Sequence, residues 1–407
     1  MMELLKEILD RAESLTRELV NLRREFHQYP ELSHEEERTA GVVARYLQDL
    51  GLEVVTGIAG HGVVGTLTAA RPGKTIAWRA DMDALPINEK VTAPWCSQVP
   101  GVMHACGHDF HISIGLAAAR LLTGFKDRLA GRFRFIFQPA EEGPPRGDKS
   151  GAQGMVAAGV LADPAVDAIL ALHVAPNLEV GFIRYNPEVV MAGADRVQLT
   201  ITGKAAHGAT PHRGVDPILL SSQALMQIQT FLAQKIDTRH PLVLTFGRIQ
   251  GGNRFNILAD RVELEGSCRY LQEAVRQEVA KGLQRLMAGL AQGSGAVIKL
   301  DFQPFYPILK NDAQLAARAV EILGQFLGVK RLKPHLPAMG SEDFSYYAAR
   351  VPAFYFFLGV RTPGKRGQAL HSPEFNPDEA ALLWGLKAAV SLLVGLDATL
   401  EPTTPPT

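Results

Sequence analysis

Val197-Gln-Leu-Thr-Ile-Thr202 alternates apolar and polar side chains over six positions, the period of a strand with one buried face. A helical pattern follows over Pro217 to Ala233, then strand patterns over Leu242 to Ile249 and Ile257 to Cys268. Leu271 to Leu290 is again helical, and Ala296 to Phe302 reads as a strand. The order β-α-β-β-α-β is that of a ferredoxin-like split unit, which closes on its own core. The flanking sequence has a different rhythm. Short apolar strands at Val63 to Thr68, Thr75 to Arg79, Phe133 to Phe137 and Ala168 to Leu172 alternate with helical stretches such as Phe110 to Leu122. That alternation predicts an α/β sheet with helices on both faces. The α/β pattern resumes near Tyr306, with a helix over Ala313 to Leu327 and a strand over Ala353 to Leu358. The split unit therefore reads as an insertion. A chain of 407 residues exceeds one ordinary core and accommodates both. The expected division is an α/β domain over 1–190 and 305–400, an inserted domain over 191–304, and a disordered Pro- and Thr-rich tail over 401–407.

At the N-terminus Leu4, Leu5, Ile8, Leu9, Leu15 and Leu19 recur at helical spacing among charges, without the apolar core of a signal peptide. Ser33 and Glu36 have capping-box spacing, and the helix they would open stops at Gly51. Asn376-Pro-Asp-Glu379 looks like the cap of a buried C-terminal helix. The apolar run from Ala380 to Leu396 is broken by Lys387 and is short for a membrane span. Net charge is zero, with 21% charged residues, which speaks against nucleic-acid or anionic-membrane partners. Three scattered cysteines suit a reducing, cytoplasmic setting better than a disulfide framework.

Chemistry concentrates in His104-Ala-Cys-Gly-His-Asp109. Cys106 and His108 are zinc-type donors at chelating spacing, although a buried cysteine is often a small hydrophobe. Glu141 and Glu142 follow an apolar strand directly, which weakens the alternative of a solvated loop. Adjacent residues of extended backbone point opposite ways. One carboxylate can then bind metal while the other handles a proton. His173 at the end of Ala168 to Leu172, and His371 in Leu370-His-Ser-Pro373, complete a possible ligand set; each alone reads equally well as a turn histidine. Asp81 and Asp83 after Thr75 to Arg79 are placed to orient ligand imidazoles. Asp81, Asp83, Glu141, Glu142 and His173 fall just after strands, where open α/β sheets collect their sites. Two other readings stay open: a thiol hydrolase with Cys106 as nucleophile and His104 or His108 as base, and a non-catalytic binding protein.

Trp78-Arg-Ala-Asp-Met-Asp-Ala-Leu-Pro-Ile87, His104 to Asp109, Glu141-Glu142-Gly143, Ala171-Leu-His-Val174 and His371-Ser-Pro-Glu-Phe375 together resemble the M20 metallopeptidase family. They resemble especially its amidohydrolase branch of N-acyl-amino-acid, hippurate and auxin-conjugate hydrolases. The likeness runs from about Leu22 to the C-terminal helix. It implies a dinuclear-metal aminopeptidase-like catalytic domain with an inserted ferredoxin-like lid, and hydrolysis of the amide bond of N-acyl amino acids or short peptides. It implies two divalent metal ions (Zn, Mn, Co or Ni) on Cys106, His108, Glu142, His173 and His371. Glu141 matches the general base and Asp83 an aspartate behind the ligands. His207 in Gly203-Lys-Ala-Ala-His-Gly-Ala-Thr-Pro211 matches a lid histidine that reaches substrate, often in the neighbouring subunit of a homodimer or homotetramer. Asn256 and the Gly340-Ser341 loop match substrate contacts. Ile257-Leu-Ala-Asp260 departs from the resemblance, since the family usually carries a proline before that aspartate.

Overall fold

A computed structural model of the chain describes residues 2–143 and 149–397; the tail expected at 401–407 lies outside them. Two compact units emerge. One comprises Met1–Val190, Lys310–Leu336 and Asp343–Thr407, the other Met191–Leu309 and Pro337–Glu342.

The first unit is built on an eight-stranded sheet. Its order is Glu53–Ile58, Gly62–Thr68, Ala130–Gln138, Arg71–Asp81, Ala168–Glu179, Ala353–Arg361, Ile183–Tyr185, Leu332–Pro334. The four strands from Ala130–Gln138 to Ala353–Arg361 run parallel. Such strands are covered on both faces and so read as continuous apolar runs; Ala168 to Leu172 is wholly buried. Helices Thr16–Gln28, His108–Thr123 and Ala381–Asp397 pack against one another beside the sheet. The expected α/β class and the fold that the resemblance implied are both found.

Several local expectations fail, for identifiable reasons. The strand at Ala168 continues to Glu179, so His173 lies inside a strand opposite Phe357 rather than at its end. Pro176 is tolerated because the pairing becomes irregular there, between Gly359 and Arg361. Ser33 and Glu36 form no capping box: Glu36 precedes the helix Glu37–Asp49 without a side-chain cap bond. Instead the Glu31 carboxylate accepts the N–H groups of Arg38 and Thr39 at 2.9 and 2.8 Å. The C-terminal helix starts at Ala381, later than Pro377. Asp378 is committed elsewhere, its N–H to the sheet at Val360 and its carboxylate to Thr362 and the Ala380 N–H.

The second unit is a four-stranded antiparallel sheet in the order Val297–Tyr306, Gly193–Thr202, Arg261–Tyr270, Leu242–Gly251. Val197, Leu199 and Ile201 point into a core shared with helices Pro217–Lys235 and Glu273–Ser294. Its last strand runs on to Tyr306, which carries the unit past the expected boundary at 304. Pro337–Glu342 also joins it, because the Ala192 N–H donates to the carbonyls of Ala338 and Gly340. That link spans distant segments and leaves no local sequence signal. The strand expected from Ile257 starts only at Arg261. Among the described residues, no helix is long and apolar enough to cross a membrane.

Candidate active site

Gly107 precedes helix His108–Thr123 with φ 83°, and a Cβ there would lie 2.5 Å from Val174 Cγ2. Only glycine meets both demands, and the tight approach sets Cys106 and His108 against the strand bearing His173. Cys106 Sγ lies 3.3 Å from His173 Nε2 and 3.3 Å from His371 Nε2. Glu142 Oε1 is 3.3 Å from His371 Nε2 and 3.9 Å from His108 Nε2. Glu141 Oε2 is also 3.9 Å from His108 Nε2. His371 holds the left-handed region, φ 60°, and its N–H donates to the Ala105 carbonyl at 2.9 Å.

Two of the histidine rings are fixed through Nδ1. His173 Nδ1 donates to the Val174 carbonyl at 2.9 Å. His108 Nδ1 donates to the Asp83 carbonyl at 2.8 Å, with the Asp83 carboxylate at 3.3 Å. A ring nitrogen that donates to a carbonyl carries a proton, so Nε2 is the atom that each ring turns toward the cluster, where a bound cation would take the place of its proton. Two triads, Cys106 with His108 and His173, and Cys106 with Glu142 and His371, each place their ligand atoms within 4.8 Å of one another. They share the sulfur. A third grouping, Asp81 with His108 and His111, is committed elsewhere: Asp81 pairs with Arg79 and His111, and His111 Nε2 accepts the Val174 N–H.

Electrostatics separate the readings that the sequence left open. Burial lowers the His108 pKa, yet Asp81 and Asp83 outweigh it and raise it to about 10. Burial, then Glu142 and Glu141, push the Cys106 thiol well above its ordinary value. A cysteine nucleophile needs the opposite shift. Burial also lowers the His104 pKa to about 3, and neither of its ring nitrogens has a hydrogen-bond partner, so it is a poor base. The protein groups alone leave this centre short of positive charge, and the buried Nε2 of His108 lacks a hydrogen-bond partner. Divalent cations fit that deficit and that donor set of thiolate, imidazole and carboxylate.

A buried network behind the cluster escaped the sequence reading. Arg79 pairs with Asp81 and, at 2.8 Å, with Asp343, which Gln138 also contacts. Asp81 Oδ1 in turn receives His111 Nδ1 at 2.5 Å. On the other side Asp109 accepts Arg23 Nε and His27 Nδ1, both at 2.8 Å, while His27 Nε2 meets Glu89 at 3.1 Å. Arg23 and His27 are four apart on helix Thr16–Gln28. Only their aspartate, 86 and 82 positions away, makes them interior. Burial and Arg23 lower the His27 pKa, but Asp109 and Glu89 prevail and raise it above 6.5. A group with a raised folded-state pKa stabilises fully below its unfolded value and loses that contribution as pH rises through the folded one. The Tm gap between wild type and His27→Gln is therefore expected to be widest below pH 6.5 and to narrow at alkaline pH. A gap independent of pH would show that the imidazolium contributes nothing.

The other candidates lie in the second unit. His207 is exposed and bridges Ile257. Its Nδ1 accepts the Ala209 N–H at 3.1 Å, which leaves the ring proton on Nε2. The Gly208 N–H donates to the Asn256 carbonyl at 2.9 Å, so the His207 and Asn256 loops adjoin. The Leu258 N–H donates to Ala206 O at 2.9 Å; the segment without the expected proline is held by this loop pairing. Gly340 is tied to Ala192, and the Ser341 hydroxyl accepts from Arg269.

Residues 77–394 match the profile of Peptidase family M20/M25/M40. The chain belongs to that family. It is a metal-dependent hydrolase of the M20 type. Thermostable carboxypeptidase 1 of Saccharolobus solfataricus is 36% identical over 397 residues, covering 97% of this chain and 99% of the relative. N-acetylcysteine deacetylase of Bacillus subtilis is 36% identical over 365 residues, covering 89% and 93%. Among solved structures, the Bacillus subtilis YXEP protein, described as a dinuclear metal binding peptidase from the M20 family, superposes with a TM-score of 0.82. It is 33% identical, with 95% of this chain and 100% of that one covered.

Proposed function

We propose that this M20 hydrolase cleaves the amide bond of N-acyl amino acids or short peptides, with Glu141 as general base. The observation that carries the reading is the pair of ligand triads sharing Cys106, with one further carboxylate, Glu141, beside them. Cys106, His108, Glu142, His173 and His371 would hold two divalent ions, Zn, Mn, Co or Ni. Bound there, such ions polarise a carbonyl and make a water acidic at neutral pH. Glu141 takes the proton of the attacking water and returns it to the leaving nitrogen. Asp83 keeps His108 in the ligand tautomer. His207, with its proton on Nε2, donates to the carbonyl oxygen as that oxygen gains charge. Asn256 and the Gly340-Ser341 loop border the substrate.

An unpaired edge strand, Leu242–Gly251, and exposed Ile218, Leu219 and Met226 support assembly of the second unit into a homodimer or homotetramer. Three free cysteines support a reducing, cytoplasmic setting.

The test is a hydrolysis panel of acetyl, benzoyl and longer acyl groups on several amino acids, after chelation and after each metal is restored. Turnover is expected to vanish on chelation and return with metal. Turnover that survives chelation and ends on thiol alkylation would transfer the reaction to Cys106. Metal uptake without hydrolysis of any member would refute the substrate class.

A further inference from the structure

Ser33 and Glu36, freed from any capping role, reach the turn that carries Glu141. Glu36 is fully buried, and its Oε1 accepts the Ala140 N–H at 2.8 Å. Ala140 holds a left-handed conformation, φ 49°, and its carbonyl accepts the Gly151 N–H at 3.0 Å. A non-glycine residue stays in that region only where its surroundings hold it there. On the far side of Glu141, the Glu142 N–H donates to Asp83 Oδ2 at 3.0 Å, and the Ser33 hydroxyl donates to the same oxygen at 2.6 Å. The segment is anchored in turn, since the Ala84 N–H donates to the Glu31 carbonyl at 2.8 Å and Leu32 bridges Ala84. The amides flanking Glu141 thus each end on a buried carboxylate, one from Glu36 and one from Asp83.

We propose that Glu36 is a positioning residue that fixes the Ala140 turn and thereby aims the Glu141 carboxylate. What it supplies is a hydrogen-bond acceptor at the right reach. Its charge is incidental: burial and the nearby Asp83 push the Glu36 pKa up to about 7, and either protonation state offers the Ala140 amide an acceptor oxygen. The inference rests on Glu141 being the base, which Glu141→Gln decides by itself.

The test compares Glu36→Gln, which keeps the acceptor and removes the charge, with Glu36→Asp, which keeps the charge and withdraws the acceptor by one methylene. Metal-loaded protein is assayed on an N-acetyl amino acid, and hydrogen exchange of the Ala140 amide is followed separately. Glu36→Gln is expected to keep the amide protected and kcat within about threefold of wild type. Glu36→Asp is expected to expose the amide and lower kcat by about ten- to a hundredfold, the scale of a slightly misplaced catalytic group. KM and metal content should change little. In a Glu141→Gln background, Glu36→Asp is expected to cost nothing more, because the group it aims is already gone. If Glu36→Gln loses as much as Glu36→Asp, charge is what matters and the proposal fails. Equal losses with and without Glu141, or an Ala140 amide that stays protected in Glu36→Asp, would overturn it too. The exchange result stands whether or not Glu141 is the base, so the two claims fail separately.

Discussion

Glu141→Gln is expected to bind metal like wild type and to lose about 10²–10⁴-fold in kcat, the usual worth of a positioned general base. The substitution is nearly isosteric. The five proposed ligand side chains are otherwise untouched, and the flanking amides stay on Glu36 and Asp83. Only the capacity to take a proton from water disappears. Elemental analysis of the purified variant should therefore match wild type while turnover collapses. A variant with equal metal and near-normal kcat would remove Glu141 as the base. A variant that loses metal would move Glu141 into the ligand set, a possibility raised by its position 3.9 Å from His108 Nε2.

His207→Ala is expected to lower kcat by about 10²–10³-fold, the range found when an oxyanion donor is removed, and to leave the metals in place. The physical argument lies in the ring. Nδ1 accepts the Ala209 N–H, which puts the ring proton on Nε2 of an exposed residue. A donor that engages mainly in the transition state should alter kcat more than KM. If the donor serves a neighbouring subunit, mixing Glu141→Gln with His207→Ala protein should restore activity, because one site in each heterodimer regains both groups. Unchanged kcat in His207→Ala refutes the catalytic role. Verified heterodimers without rescue, from two inactive parents, refute only the sharing.

The α/β framework and the inserted split unit were legible because periodicity is local. Val197, Leu199 and Ile201 alternate and are buried, and the apolar runs at Phe133 and Ala168 mark parallel strands covered on both faces. The ligand candidates were legible for a similar reason. Cys106 with His108, and Glu141 with Glu142, are chemically unusual at short range, and the two glutamates closely follow a strand. Side-chain partners were not legible. Ser33 and Glu36 matched a capping box in spacing, yet long-range neighbours, Asp83 and Ala140, compete for the same oxygens and win. Arg23 and His27 gave no local signal of a buried role, because the aspartate that pairs with them lies more than eighty positions away.

Sequence alone therefore determined the order of elements, the family resemblance and the inventory of metal-type donors, each of which depends on residue types at short spacing. Tertiary structure alone decided that one sulfur is common to two candidate ligand triads. It also decided that His108 and His173 turn Nε2 inward through a backbone carbonyl, that Pro337–Glu342 belongs with the second unit, and that the turn bearing Glu141 hangs between two buried carboxylates. These depend on which distant groups satisfy a buried donor. Once water is excluded every such donor must find an acceptor, and only the folded chain shows which acceptor is within reach.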